Sequence, residues 1–137
     1  VKRTPFTTLF LDVTQPCRLV DLLEPKIFSI ENYVDDSGNT HERAHVRTRV
    51  DRWPKFVSFT FPMYDYKFPI EIPLTFEDRV LFACIVHVGN RNGGHYALVV
   101  KRYNKWYIKD DASVTEMPEP PRRGAFYQVW YRPMKTL

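Results

Sequence analysis

His95 and the pair Asp110–Asp111 are the residues whose types and spacing could do chemistry. His95 follows Gly93-Gly94 and opens an apolar run, and the two aspartates close the next such run. If the runs pair as strands, a carboxylate at the end of one reaches an imidazole at the mouth of its neighbour. The carboxylate holds one ring nitrogen and leaves the other to face a nucleophile or substrate, which is how a catalytic base is oriented. His95 is therefore the candidate base, and in a later step the acid for a leaving amine. Asp110 is the candidate orienter. Asp111 would point the other way if the strand continued, and then either aids the site or simply ends the strand. Gly93 and Gly94 remove side chains where something must come close to the backbone.

An oriented imidazole serves a nucleophile, and a thiol hydrolase needs a thiolate, a base and an oxyanion hole. The chain has two cysteines, Cys17 and Cys84. Cys17 precedes a short helical pattern, and a helix N-terminus lowers a thiol pKa. Cys84 lies inside an apolar run and reads as a core residue. Neither belongs to a C-x-x-C pair, so thiolates alone assemble no zinc ribbon, and no metal or cofactor is expected. The two cysteines permit one disulfide. No signal peptide or long apolar run occurs, which points to a soluble protein of a reducing, intracellular compartment, cytoplasmic or nuclear.

The elements that must position these groups are legible over 80–132. Strands are predicted over 80–89, 95–104, 105–110 and 125–132, the last from the alternating aromatics of Ala-Phe-Tyr-Gln-Val-Trp-Tyr-Arg. Asn90, Arg91 and Asn92 form the loop before the glycines. Pro118, Pro120 and Pro121 with Arg122 and Arg123 make 117–124 a loop.

This stretch resembles the histidine box of the ubiquitin-specific proteases, papain-like cysteine hydrolases that remove ubiquitin. That box runs apolar strand, His-x-Gly, a short polar loop, Gly-Gly-His-Tyr, strand, and then Trp-x-x-x-Asp-Asp-x-x-Val. His87, Gly89, Gly93, Gly94, His95 and Tyr96 match its first part, and Trp106, Asp110, Asp111 and Val114 its second. Ala125, Phe126, Val129, Tyr131 and Arg132 follow the family's last strand. The resemblance is strong over 80–132 and loose over 6–76. It implies an α+β, papain-like fold of the ubiquitin-specific-protease type, with an antiparallel palm sheet, a finger hairpin and few helices. By family position Asp110 is preferred to Asp111 as orienter. Asn90 and its loop would close over the ubiquitin tail, Gly93 and Gly94 would leave room for that tail, and Tyr96 and Trp106 would be tunnel-wall or core aromatics. His87 would be structural. The family's nucleophile sits in a Gly-Asn-Thr-Cys-Tyr-x-Asn box that these residues lack, and Cys17 falls where the family has a different helix. The chain is accordingly expected to be the C-terminal part, fingers and palm, of such a catalytic domain, inactive alone. Ubiquitin or a ubiquitin-like protein and ubiquitinated substrates are the implied partners, without a membrane.

Before the box, strands are expected over 6–13, 28–34, 41–50 and 55–61. Thr14 is a candidate cap with Pro16 near the first position of a helix, and Leu19, Leu22 and Leu23 share its apolar face. The 35–39 turn joins two strands into an extended hairpin with His41, Arg43, His45, Arg47 and Arg49 on one side. In the family this hairpin belongs to the fingers, whose zinc cysteines are missing here. His41 and His45 would lie roughly 13 Å apart on a strand, too far to share one ion. Residues 64–78, rich in Pro and aromatics, read as an ordered loop.

At 137 residues with 44% hydrophobic content, the chain fits one domain or half of a larger one. Its net charge of +4 is mixed in distribution. A nucleic-acid module using Arg43, Arg47, Arg49 and Arg52 has no recognised motif behind it and is the weaker rival. The other rival is an inactive relative that binds ubiquitin as a scaffold.

Overall fold

Apolar side chains that recur every second residue can bury only one face of a strand, so they must be matched across neighbours. In the structure, a computed structural model that describes residues 3–62, 68–90 and 93–134, this matching builds one large sheet. The elements in chain order are β1 (Thr8–Phe10), β2 (Cys17–Arg18), α1 (Leu19–Leu22), β3 (Lys26–Val34), β4 (Thr40–Thr48), β5 (Val57–Thr60), β6 (Ile70–Glu71) and β7 (Thr75–Phe76). They continue as β8 (Arg79–Asn90), β9 (Gly93–Arg102), β10 (Lys105–Asp110), β11 (Ser113–Met117), β12 (Arg123–Gly124) and β13 (Phe126–Pro133). The sheet runs β1-β5-β13-β8-β9-β10-β11, with β7 also paired to β8. Its pairings are antiparallel apart from β1 with β5, which is parallel.

Directly paired residues share a face. Phe59, Val129, Cys84 and Val99 form such a row across four strands, and each is at most 1% exposed. Burying Phe59, Val129 or Val99 is worth about 1.5–3 kcal/mol each. Ile108 continues the row on β10. Aromatic rings extend the core beside β5: Trp53, Phe59 and Phe76 meet edge to face with centroids 4.8–5.8 Å apart. The Tyr131 hydroxyl donates to Pro73 O at 2.6 Å. Arg79 donates to the carbonyls of Trp53, Pro54 and Lys55, and to that of Glu77, tying the segment before β5 to the start of β8.

Several elements differ from expectation. The strand over 6–13 is confined to Thr8–Phe10, and the one over 55–61 to Val57–Thr60. The helix begins at Leu19 rather than near Pro16, because Cys17 and Arg18 pair in parallel with Ile70 and Glu71. A backbone committed to that pairing cannot also form a first helical turn, so tertiary contact overrides the Thr14 cap signal. Leu19 is fully buried, whereas Leu22 and Leu23 are partly exposed. The expected 117–124 loop contains the two-residue β12, which completes a small sheet β12-β6-β2. Residues 70–76 supply β6 and β7, while Tyr64 and Tyr66 of the expected ordered loop lie outside the described residues.

Contacts divide the chain into two units, Val1–Leu22 with Trp53–Leu137, and Leu23–Arg52. The second is the hairpin of β3 and β4, paired in register from Lys26↔Thr48 to Val34↔Thr40. Its turn is held by Asp35, whose carboxylate accepts from the amides of Ser37 and Asn39 and binds the His41 ring at 3.0 Å. His41, Arg43 and Arg49 are exposed, and so is Glu42 between the first two. The side chains of His45 and Arg47 lie outside the described ones.

Candidate active site

β8 and β9 form a hairpin whose last register pairs are His87↔Tyr96, Val88↔His95, Gly89↔Gly94 and Asn90↔Gly93. The glycines are needed there for different reasons. Gly89 and Gly94 have φ of 124° and 142°, a region that L side chains rarely enter. A Cβ on Gly94 would lie 2.3 Å from Val88 O and 2.8 Å from the His87 ring, and one on Gly89 would lie 2.7 Å from Gly93 O. Gly94 therefore lets two strands and an imidazole close together. Gly93 faces open space, with nothing within 4 Å of where its Cβ would be. Arg91 and Asn92 of the loop, and the side chain of Asn90, lie outside the described residues.

His95 lies four residues from Val99 on β9, on the same face as the core row, where that face runs out into solvent. β10 pairs with β9 from Lys105↔Arg102 to Lys109↔Leu98. Asp110, two residues beyond Ile108, comes out on the same face and meets His95: its Oδ1 is hydrogen-bonded to His95 Nε2. The two side chains are 48% and 35% exposed, so the pair sits at a rim that another molecule or segment can reach. An ionised carboxylate only accepts, so with Asp110 ionised and the ring neutral Nε2 carries the proton and Nδ1 keeps the lone pair. The ring is thereby fixed in the tautomer in which Nδ1 can take a proton.

Asp111 lies beyond the end of the strand, so the case in which it would point away does not arise. The strand stops at Asp110, and a two-residue connection leads to Ser113, which pairs with Asp110. Asp111 takes φ of 52° there, a left-handed conformation that Asp tolerates better than most residues. One of its carboxylate oxygens, one of Asp110 and a ring nitrogen of His95 all lie within 4.8 Å of one another. Nothing in an Asp-Asp pair announces that backbone reversal. The only sequence signal for it was the short gap between the apolar run ending at Ile108 and the next strand.

The other candidates are not brought to this point. Tyr96 leaves the opposite face of β9 and packs edge-on against His87 and tilted against Tyr127, at centroid distances of 5.6 and 5.7 Å. Trp106 is 6% exposed at the far end of β10, about 13 Å along the strand from Asp110. There it lines an open cleft of about 340 Å³ with Leu74, Leu81, Lys101 and Met117. Both cysteines are free thiols. Burial pushes the Cys84 thiol up to about 12. Cys17, in the small sheet, is also raised, first by burial and then by the nearby Asp21 carboxylate, which is the reverse of activation.

The family model described as ubiquitin carboxyl-terminal hydrolase matches residues 18–131. The chain belongs to the ubiquitin carboxyl-terminal hydrolase family. Two curated members are similar over parts of it. Ubiquitin carboxyl-terminal hydrolase 12 of Saccharomyces cerevisiae is 44% identical over 54 residues, 37% of this chain and 4% of that protein. Ubiquitin carboxyl-terminal hydrolase 4 of Arabidopsis thaliana is 42% identical over 64 residues, 41% of this chain and 18% of that protein. Among solved structures, the SAGA DUB module of Ubp8, Sgf11, Sus1 and Sgf73 bound to monoubiquitin superposes with a TM-score of 0.72 at 17% identity, over 97% of this chain and 36% of that one. A yeast SAGA DUB module carrying a mutant Sgf73 gives 0.74 at 18% identity, over 97% and 36%. At such identity the likeness speaks for the fold. This ubiquitin carboxyl-terminal hydrolase chain has the ubiquitin-specific-protease type of fold, mostly sheet, and spans about a third of the length of the solved chains it matches.

Proposed function

We propose that this chain supplies the base, its orienting carboxylate and the ubiquitin-tail passage of a thiol hydrolase that cleaves isopeptide or peptide bonds at the ubiquitin C-terminus. The single observation behind this reading is the His95 Nε2 to Asp110 hydrogen bond at the rim of the sheet, which leaves Nδ1 as the proton acceptor. The thiol comes from a part of the catalytic domain other than these residues, since Cys84 is buried in the core row and Cys17 is paired into the small sheet, both with thiols raised by burial. His95 Nδ1 takes the thiol proton. The thiolate attacks the carbonyl of the terminal glycine, and the imidazolium then protonates the departing lysine amine. Asp110 holds the tautomer before the first transfer and stabilises the imidazolium after it. The open space beside Gly93 suits a tail ending in Gly-Gly, which brings no side chains of its own. Ubiquitin as partner is supported by the solved relative captured with monoubiquitin.

The test is a kinetic and binding series on the full-length protein with a ubiquitin-fused substrate. His95→Ala removes the base, and turnover should fall by several orders of magnitude. Asp110→Asn keeps the shape but favours the wrong tautomer, a loss of about 10⁴ for the corresponding change in serine proteases. A similar or smaller loss is expected here, because a thiol ionises more readily than a hydroxyl. Ubiquitin affinity should survive both changes. Near wild-type hydrolysis by His95→Ala would end the assignment.

A ubiquitin-binding scaffold without chemistry is the second reading, and what favours it is that neither thiol of the chain is activated. In that case wild type and His95→Ala would bind ubiquitin equally and neither would turn over.

A further inference from the structure

The His95–Asp110 pair accounts for two of the three groups at the rim. The third, Asp111, has its carboxylate folded back so that one imidazole nitrogen and two carboxylate oxygens lie within 4.8 Å of one another. Among the described residues no other three such donors gather in this way. A tetrahedral zinc binds imidazole nitrogen and carboxylate oxygen at about 2.0–2.2 Å, so its donors lie roughly 3.3–3.6 Å from one another. His95 Nε2 and Asp110 Oδ1, now hydrogen-bonded, must part to admit the ion, and a pair as wide as 4.8 Å must close by roughly an ångström. The three side chains are partly open to water, so they can move and an ion can reach them. Two negative charges facing one point favour a divalent cation. An imidazole in the set favours zinc, copper or nickel over the oxygen-preferring magnesium, calcium and manganese.

We propose that His95, Asp110 and Asp111 form an inhibitory site for a divalent transition metal of the zinc class, distinct from any metal in the fingers. The binding needs only the geometry; the inhibition rests on the catalytic reading above. An ion at this point coordinates His95 through Nε2, where Asp110 now holds a proton. That proton leaves Nε2 and, with the ring neutral, one returns from solvent to Nδ1, so none is gained or lost overall. Nδ1 becomes a donor and cannot accept the thiol proton. The metal imposes the tautomer opposite to the one Asp110 imposes, so the same carboxylate that serves the base also recruits its inhibitor.

The experiment is a titration of the full-length protein with Zn²⁺, and with Co²⁺ for its visible absorption. His95 ring nitrogens are followed by NMR in parallel. Zinc should saturate at micromolar concentration, move the His95 proton from Nε2 to Nδ1, and suppress hydrolysis over the same range. Millimolar Mg²⁺ should do none of these. Asp111→Asn, which is isosteric and tolerates the left-handed backbone, should weaken metal binding by about tenfold or more while His95 keeps its Nε2–H tautomer without metal. Zinc affinity unchanged in both Asp111→Asn and His95→Gln would overturn the site. Loss of hydrolysis with the His95 ring unmoved would place the inhibitory ion elsewhere and overturn it equally. These outcomes are separate from the catalytic test, which is read without metal.

Discussion

Two adjacent glycines do opposite jobs at the site, and a single methyl group separates them. A side chain on Gly94 would run into Val88 O and the His87 ring, at a φ that L residues rarely adopt. Gly94→Ala should therefore destabilise the protein by about 1–3 kcal/mol, as backbone strain at such positions does. Gly93→Ala meets nothing within the chain. It should leave the melting temperature unchanged and raise KM for a ubiquitin substrate. Thermal denaturation of the two variants beside wild type checks this. Equal stability of both would mean that the hairpin relaxes around Gly94, and an unaltered KM in Gly93→Ala would remove Gly93 from the substrate path. Cys84 belongs to the same scale. With its thiol at about 12, it should resist alkylation at pH 8 until the protein unfolds, and mass spectrometry after iodoacetamide treatment reads this directly.

At the scale of the element, the β3–β4 hairpin carries a pH dependence of its own. The His41 ring, then the Asn39 amide and, more weakly, the Ser37 amide hold the Asp35 carboxyl below its ordinary value of 3.8. A carboxyl lowered in the folded state stabilises it above the ordinary value, and that contribution disappears as pH falls through the lower folded value. The turn should thus stay intact at neutral and mildly acidic pH and loosen only below about pH 4. NMR of the Ser37 and Asn39 amides should show one transition with a midpoint under 3.8, absent in Asp35→Asn. A midpoint at or above the ordinary value would show that the turn does not depend on these bonds.

At the scale of the molecule, the sheet leaves apolar groups uncovered. Tyr96 and Leu98 share the face of β9 opposite His95 and are 47% and 37% exposed, with Tyr127 at 38% beside Tyr96. If these residues are the fingers and palm of a larger catalytic domain, the rest of that domain covers this face. The 137-residue chain by itself should then bind a hydrophobic dye, and Leu98→Glu should reduce that binding. The full-length protein should bind little. A dye-silent chain that unfolds cooperatively as a monomer would count against the half-domain proposal.

The sequence alone determined four strands between 80 and 132, though not β12, because their apolar alternation is strong and their turns are marked by Gly, Asn and Pro. His95 was legible as a base from its place at a strand mouth, and Asp110 as its partner from the adjoining strand end together with the family position that favours it over Asp111. The sequence could not place the helix start, because the competing partner of Cys17 and Arg18 lies at Ile70 and Glu71, far along the chain. Nor could it place Tyr96 and Trp106 relative to the imidazole. Tyr96 is next to His95 in sequence but on the other face of its strand, and Trp106 is on the shared face but at the far end of β10. Asp111 shows the limit most clearly. Its carboxylate reaches His95 only because the backbone turns left-handed at that residue, and what fixes that turn is the pairing of Asp110 with Ser113 across it. Periodicity reports which face a residue occupies while a strand lasts. Where the strand ends, and which way the next side chain swings, is decided by what the neighbouring strands bring together.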